Sequence, residues 1–263
     1  MEIYPCHYEP TISNEQFIPD HIFIYLETGF MNVFYGNKVY EMRAGDYCFV
    51  KRNHLARYRK GELSGRPFKS VAVFLTQEFL RLFREEYTIE AVECPGGTDA
   101  ILHLDRHPML ESFVHSMRPY MQLEGRERND FMNLKTRELT LVLLKTNPAL
   151  GPVLFDFSDP GKIDLEDFMN RNFRFNVSLQ RFSYLSGRSL TVFKEDFKKV
   201  FHTSPGKWLI EKRLTEARFQ IETLGRRPSE VYLEVGFEDL SHFSFAFKKK
   251  FGASPNRLLK AGV

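Results

Sequence analysis

The first 75 residues alternate apolar and polar positions in short runs. His21–Leu26, Met31–Tyr35, Lys38–Met42, Tyr47–Lys51 and Ser70–Leu75 are rich in aromatic and β-branched residues. Thr28-Gly29, Gly36-Asn37, Gly45-Asp46 and the stretch 61–67 break them. Close-spaced strands with turn residues between them predict a small barrel or sandwich. Gly36-Asn37 suits a two-residue hairpin turn. From Gln77 the apolar period lengthens. Phe79, Leu82, Phe83 and Tyr87 fall at helical spacing, and so do Leu110, Phe113, Val114 and Met117 after Pro108. A further helix is predicted over Phe131–Lys145, with Leu134, Leu141 and Leu144 inward. Asn147-Pro148 and Gly151-Pro152 stop it.

Residues 146–162, TNPALGPVLFDFSDPGK, read as a linker rich in Pro, Gly and Asp. Beyond it every pattern is helical. Helices are predicted over Leu165–Asn172, over Ser178–Leu185 with Ser178 as N-cap, and from a Ser189 cap to Phe201. The last buries Phe193, Phe197, Val200 and Phe201 on one face. Pro205 opens a helix to Leu224, ended by Gly225. Ser229–Val235 is short, Gly236 turns the chain, and Asp239 caps a helix through Phe251, with Leu240, Phe243, Phe247 and Phe251 inward, closed by Gly252.

One grammar thus occurs twice, at 178–201 and 229–251: short helix, glycine turn, longer amphipathic helix. Gly187 and Gly236 stand 49 residues apart. The 20-residue helix between the units spans about 30 Å, against about 34 Å between successive major-groove faces of DNA. A rod of that length suits two reading helices held on one side of a duplex.

Charge sharpens this picture. The chain of 263 residues carries a net charge of only +3. Residues 1–150 carry 18 basic against 20 acidic side chains, whereas 178–263 carry 16 against 9. A basic C-terminal third on a near-neutral front points to a polyanion-binding module, against the plainer reading of a solvated basic surface. With 43% hydrophobic residues, whole-chain disorder is excluded. The absence of 18 consecutive apolar residues predicts no membrane span. The start Met1-Glu2-Ile3-Tyr4-Pro5 has no basic head or apolar stretch, so no secretory signal is expected. Cys6, Cys48 and Cys94 form no CxxC pair, and a reducing cytoplasm is the expected compartment.

The run from Val231 to Pro255, VYLEVGFEDLSHFSFAFKKKFGASP, resembles the signature of the AraC/XylS family of bacterial transcription regulators. There a Val-Gly-Phe turn leads to a helix ending in Phe-Lys, then Phe-Gly-x-Ser-Pro. Leu190, Phe193, Phe197-Lys198 and Thr203-Ser204-Pro205 fit the first unit. Lys212-Arg213-Leu214 and Ala217 fit the connecting helix. The resemblance covers about 178–260 well. The front resembles the family's cupin-like sensor more loosely, through the turn at Gly45-Asp46.

The resemblance implies an α+β two-domain fold. A cupin-like β-barrel with flanking helices serves for sensing and dimerisation over 1–150. A linker and lead-in helix cover 151–177, and an all-α double helix-turn-helix covers 178–263. It implies double-stranded DNA as partner, RNA polymerase as a further one, and control by a small effector or by homodimerisation, with no cofactor. By match to the family's base-reading positions, Thr191, Lys194 and Glu195 read bases from the first unit. Leu240, Ser241, His242, Ser244 and Phe245 read from the second. Arg188, Lys198, Lys199, Lys207, Lys248 and Lys249 are the phosphate candidates.

Three positions depart from the pattern. Phe245 stands where the family usually has Arg; it either touches a thymine methyl or folds onto a neighbouring helix. Glu195 stands where a basic residue is usual; it either accepts from a cytosine amino group or joins a surface salt bridge. Tyr232 replaces a small residue beneath the second turn.

The rival reading is a cupin-type metal-dependent enzyme with a helical appendage, and a third is a binding protein that has lost DNA affinity. None of the eight His forms HxH. His103 and His107 have Leu104 where a metalloprotease needs its Glu, and Pro108 follows. Gly96-Gly97 lacks a phosphate-loop pattern, no nucleophile elbow occurs, and nothing near Cys94 marks a base. No metal site or catalytic residue is therefore expected. Strand alternation places Phe23, Tyr25, Tyr47, Phe49 and Phe74 inward as effector-contact candidates, or as plain core. Arg52, His54, Arg57 and Arg59 cluster near a strand end, to meet an anionic effector or, as favoured, acidic side chains of the same chain.

Overall fold

The computed structural model describes residues 17–36, 38–89 and 99–261. The chain divides into two compact units, Met1–Ser158 and Asp159–Val263.

The first unit holds nine strands: β1 (Phe17–Ile18), β2 (His21–Thr28), β3 (Phe30–Tyr35), β4 (Lys38–Arg43), β5 (Tyr47–Val50), β6 (His54–Leu55), β7 (Arg57–Gly61), β8 (Lys69–Leu75) and β9 (Ile101–Leu104). They form sheets in the orders β8-β2-β5-β9, β4-β3-β7 and β1-β6. The expected barrel is therefore corrected to three sheets that do not close on themselves. The β3–β4 hairpin pairs Tyr35 with Lys38, which leaves room for the two-residue turn. Its Asn37 lies outside the described residues, as do Cys6, His7, Cys94 and Gly96-Gly97.

Both faces of the four-stranded sheet are covered, which is why β2 reads as an almost unbroken apolar run. Phe23, Tyr47, Phe49, Val71, Val73 and Leu75 face a layer of helices. These helices are α1 (Gln77–Glu86), α2 (Pro108–Met117), α3 (Gly125–Thr146) and the single turn α4 (Gly151–Leu154). Leu26, Cys48 and Val50 face the second sheet and pack with Met31, Val33 and Met42. Phe74 pairs with Ile22, whereas Phe23 pairs with Val73. Phe74 thus lies on the opposite face from Phe23, and its grouping with the other four aromatics is corrected.

Helix phase is the second correction. In α1 the buried residues are Leu80 and Phe83, while Leu82 and Tyr87 are exposed. In α3 the buried stripe runs through Met132, Thr136, Leu139 and Leu143, and Leu134 and Leu141 face outward. Two threonines hold inward positions because each hydroxyl donates to the carbonyl one turn back. Thr136 reaches Met132 O and Thr140 reaches Thr136 O, both at 2.8 Å. Strands β1, β6, β7 and β9 were not expected. β7 carries Arg57 and Arg59 of the basic cluster.

Arg52 settles its own alternatives. Its half-buried guanidinium donates to the carbonyls of Asp156 (2.8 Å) and Ser158 (2.7 Å), and its charge acts on the Asp20 carboxylate. Beside it, His21 is sealed from solvent and stacked on Phe49 at 5.2 Å. Its Nδ1 accepts the Arg52 amide at 3.2 Å. Burial, aided by the Arg52 charge, holds the His21 imidazole down at about 3. Burial also pushes the Cys48 thiol up to about 12, leaving it inert.

The second unit is all helical: α5 (Leu165–Asn172), α6 (Leu179–Leu185), α7 (Leu190–Phe201), α8 (Pro205–Glu222), α9 (Pro228–Glu234), α10 (Leu240–Phe251) and α11 (Pro255–Ala261). α8 ends two residues short of the expected Leu224, and α11 was not expected.

His21 makes the first unit acid-sensitive in a defined window. In the unfolded chain the ring takes up a proton near pH 6.5, whereas in the folded chain it stays neutral down to about 3. The unfolded state binds more protons in that interval, so stability falls with pH there. The loss is on the order of 3 kcal/mol by pH 4. Urea denaturation of the whole chain across pH 7 to 4 checks this, and His21→Asn, which retains an acceptor, is expected to flatten the acid limb. An unchanged limb in that variant contradicts it.

Candidate nucleic-acid interface

The same residues build each reading unit twice over. Ser189 Oγ caps α7 by accepting Val192 N at 3.4 Å; Asp239 Oδ1 caps α10 by accepting His242 N at 2.6 Å. Phe193 and Phe197 are fully buried in α7, as are Phe243 and Phe247 in α10. Each helix closes on a left-handed residue, His202 (φ 54°) and Gly252 (φ 74°). The expected inward Val200 of α7 and Leu240 of α10 are instead exposed, at 40% and 39%.

The helices superpose in sequence at a shift of about 50 positions. Thr191 corresponds to Ser241, Lys194 to Ser244, Glu195 to Phe245, Lys198 to Lys248 and Lys199 to Lys249. At 100° per residue, Thr191, Glu195, Lys198 and Lys199 fall opposite the buried stripe of α7, as Ser241, Phe245, Lys248 and Lys249 do in α10. Lys194 and Ser244 flank that face. Thr191, Lys194, Glu195, Lys198, Leu240, Ser241, His242 and Phe245 are all exposed, and Ser244 is half-buried. Phe245 is 70% exposed, so it does not fold onto a neighbouring helix. The two departures from the family pattern occupy one equivalent position, which carries a carboxylate in one unit and an aromatic ring in the other. His242 sits edge-on to Phe237 at 5.6 Å.

The cations divide. Lys199 and Lys207 make loose pairs, at 3.8 Å with Asp196 and 3.9 Å with Glu211, and stay open to solvent. Arg188 is a correction. Its side chain is only 7% exposed. It donates to Asp196 Oδ2 (3.1 Å), Ile163 O (3.0 Å) and Ser186 O (2.7 Å). Its donors serve the fold, so it is not placed to meet a phosphate. The Arg188 guanidinium in turn holds the Asp196 carboxyl below the usual carboxylate range. Tyr232 is half-buried against the second unit's core.

Two structural elements carry the units. Phe197, Phe201 and Trp208 cluster at the start of α8, with Trp208 edge-on to Phe197 and its centroid 4.6 Å from that of Phe201. At its middle, Arg213 is buried among Leu209, Leu214 and Ala217. Its guanidinium donates to Phe173 O (2.7 Å), Phe175 O (2.7 Å) and Gly236 O (3.0 Å). Gly236, at φ 101°, lies so close that a Cβ would stand 2.5 Å from Arg174 O and 2.9 Å from Arg213 Nε. In the sequence Arg213 stands out only within the Lys212-Arg213-Leu214 match. The signal for its role was a lone cation on the apolar face of a long helix.

In the first unit, a cleft of about 200 Å³ is lined by Tyr25, Gly45, Tyr47, Arg106, Glu111, Val114, His115 and Arg118. Of the five effector candidates only Tyr25 and Tyr47 reach it; Phe23 and Phe49 are fully buried. No group of three His, Cys, Asp or Glu suited to a metal ion occurs among the described residues. Among them too, no helix is long and apolar enough to cross a membrane.

Two family models match this chain: the ExsA N-terminal regulatory domain over residues 21–151, and a helix-turn-helix domain over 185–261. The HTH-type transcriptional regulator ExsA of Pseudomonas aeruginosa is 24% identical over 260 residues, spanning 97% of this chain and 92% of that protein. The virulence regulon transcriptional activator VirF of Yersinia enterocolitica is 24% identical over 230 residues, spanning 84% and 82%. A crystal structure of apo ToxT from Vibrio cholerae aligns over 100% of this chain and 97% of its own, at 14% identity and a TM-score of 0.46.

Removing the Arg213 fork takes a charged donor from three buried carbonyls. Arg213→Ala is expected to cost the second unit about 3 kcal/mol or more, and Arg213→Lys to restore little, because an ammonium cannot span the three acceptors. Denaturant melts of the helical transition measure this; a loss below about 1 kcal/mol contradicts the role.

Proposed function

We propose that this chain, which belongs to the AraC/XylS family of DNA-binding transcription regulators, docks α7 and α10 in successive major grooves on one side of a duplex. The observation that carries the proposal is the doubled helix. The same exposed face recurs at a shift of about 50 residues on two helices whose opposite faces are locked by paired phenylalanines. Thr191, Lys194 and Glu195 read bases in one groove; Leu240, Ser241, His242, Ser244 and Phe245 read them in the next. Phe245, standing free of its own fold, suits a thymine methyl. Lys198, Lys199, Lys207, Lys248 and Lys249 neutralise phosphates and release counterions. Arg188 leaves that set.

The first unit serves regulation. The cleft walled by Tyr25 and Tyr47 is the place for a small effector. Leu134 and Leu141, seven residues apart on the exposed side of α3, support a second copy of the chain as partner. RNA polymerase follows from the family as a further partner, and the cytoplasm as the compartment. The chain acts without catalysis, the metal-dependent enzyme being the rival reading.

Fluorescence anisotropy with random-sequence duplexes at rising salt tests the DNA reading. The Lys198→Ala/Lys248→Ala double variant is expected to weaken binding on every sequence and to flatten the slope of log K against log salt by about 2. Phe245→Ala is expected to leave that slope unchanged and to relax preference at a single thymine-bearing position. An unaltered slope in the double variant, or no binding by the native chain at low salt, contradicts the reading.

A further inference from the structure

The chain enters the helical unit through Asp159–Ile163, and this stretch is fastened to the turn of the first reading unit. Tyr184 Oη donates to Asp159 Oδ1 at 3.2 Å. The Ile163 amide donates to Ser186 O at 3.4 Å, and Arg188 Nη1 donates to Ile163 O at 3.0 Å. Lys162 Nζ stands 3.5 Å from the same Asp196 oxygen that accepts Arg188 Nε. The backbones meet without a spacer. A Cβ on Gly187 would lie 2.3 Å from the Gly161 carbonyl carbon and 2.5 Å from Lys162 N. The turn therefore requires glycine both for its φ of 68° and for the stretch seated on it.

Asp196 belongs to α7 itself, between Glu195 and Phe197, so these contacts reach the reading helix and not only the turn. The second unit is closed differently. Gly236 packs on Arg174 O, in the connection just past α5, and on Arg213, which is buried in the helical unit. One turn is shut by the buried Arg213 and the connection it holds, the other by an incoming segment whose Asp159, Gly161, Lys162 and Ile163 are exposed.

We propose that Asp159–Ile163 is a strap that sets the pose of α7, with Arg188 and Asp196 as positioning residues. The first unit's hold on its half-site depends on the seated strap, and the second unit's does not. The proposal rests on the two-unit reading of DNA. Because the strap is also the covalent path out of the first 158 residues, tension on it acts on the first reading unit.

The test uses the full chain and a duplex recovered with it from a random pool, read by hydroxyl-radical footprinting and by anisotropy. Lys194→Ala marks which half-site belongs to the first unit. Asp159→Ala/Lys162→Ala removes strap contacts from solvent-exposed positions, and Arg188→Gln removes the clasp. Both are expected to weaken protection of the first half-site by about tenfold, leave the second half-site protected, and leave the salt slope unchanged. Equal weakening of both half-sites, or no weakening in the exposed double variant, overturns the strap; should Arg188→Gln fail to fold, the double variant decides. A lower salt slope in the double variant means Lys162 was a phosphate contact, and also overturns it. A native chain that protects no pair of half-sites overturns the two-unit reading beneath it, which is a distinct result.

Discussion

Arg213 is a cation buried inside the helical unit, and the arrangement of that unit depends on what its guanidinium holds. A guanidinium offers five donors in a fixed plane. Here they meet the carbonyls of Phe173 and Phe175, just past α5, and that of Gly236, in the turn of the second reading unit. Carbonyls at helix ends and turns otherwise need water. By satisfying three of them from one side chain, α8 binds the lead-in of the first unit to the turn of the second. Two apolar layers then lock each reading helix to that frame. Phe193, Phe197, Phe201 and Trp208 do so at one end, and Phe243 and Phe247 against Leu214, Ala217 and Ile221 at the other. Arg226 adds a brace between Gln220 and Glu234. At 18 residues α8 is about 27 Å long, so the spacing of the units is set by this frame as a whole rather than by rod length alone.

The first unit follows another principle, a sheet covered on both faces. One face of β2 and β5 meets helices and the other meets a second sheet, so neither face is left for water. That arrangement puts His21 beneath the Arg52 segment, where a charged imidazole has no hydration, and it lets Arg52 gather the last carbonyls of the unit. The side chains that looked like a ligand-facing lining are mostly the floor under the helices. The open cleft lies at the edge, beside Gly45 and α2.

Much of this was legible in the sequence. Glycine, proline and capping Ser or Asp punctuate the second unit so regularly that α5 to α10 emerge within two residues of their ends, and only α11 goes unannounced. The paired Phe stripes fix which faces are buried. What failed did so for physical reasons. Leu134 and Leu141 were expected inward because hydrophobicity was weighed alone, whereas α3 turns inward the threonines whose hydroxyls bond their own backbone. β7 was read as a basic cluster because arginine on a half-covered strand hides the period of two. Phe74 was misplaced because strand register is a pairing between distant segments. Arg188 was assigned to DNA because a cation beside a reading helix looks free until the incoming segment that uses it is in place. His202 closes α7 in a left-handed conformation that glycine usually supplies, yet the helix ends at the expected Phe201.

The account therefore rests on two equivalent helices held in one frame by a buried guanidinium. Their equivalence predicts a simple geometry in the DNA they select. Sequencing duplexes bound by the native chain from a random pool measures it most directly. Two short blocks of preferred bases are expected, different in sequence because Glu195 and Phe245 occupy the same place in the two units, with centres about 10 base pairs apart. A single block, or two blocks whose spacing varies freely between selected duplexes, would contradict it.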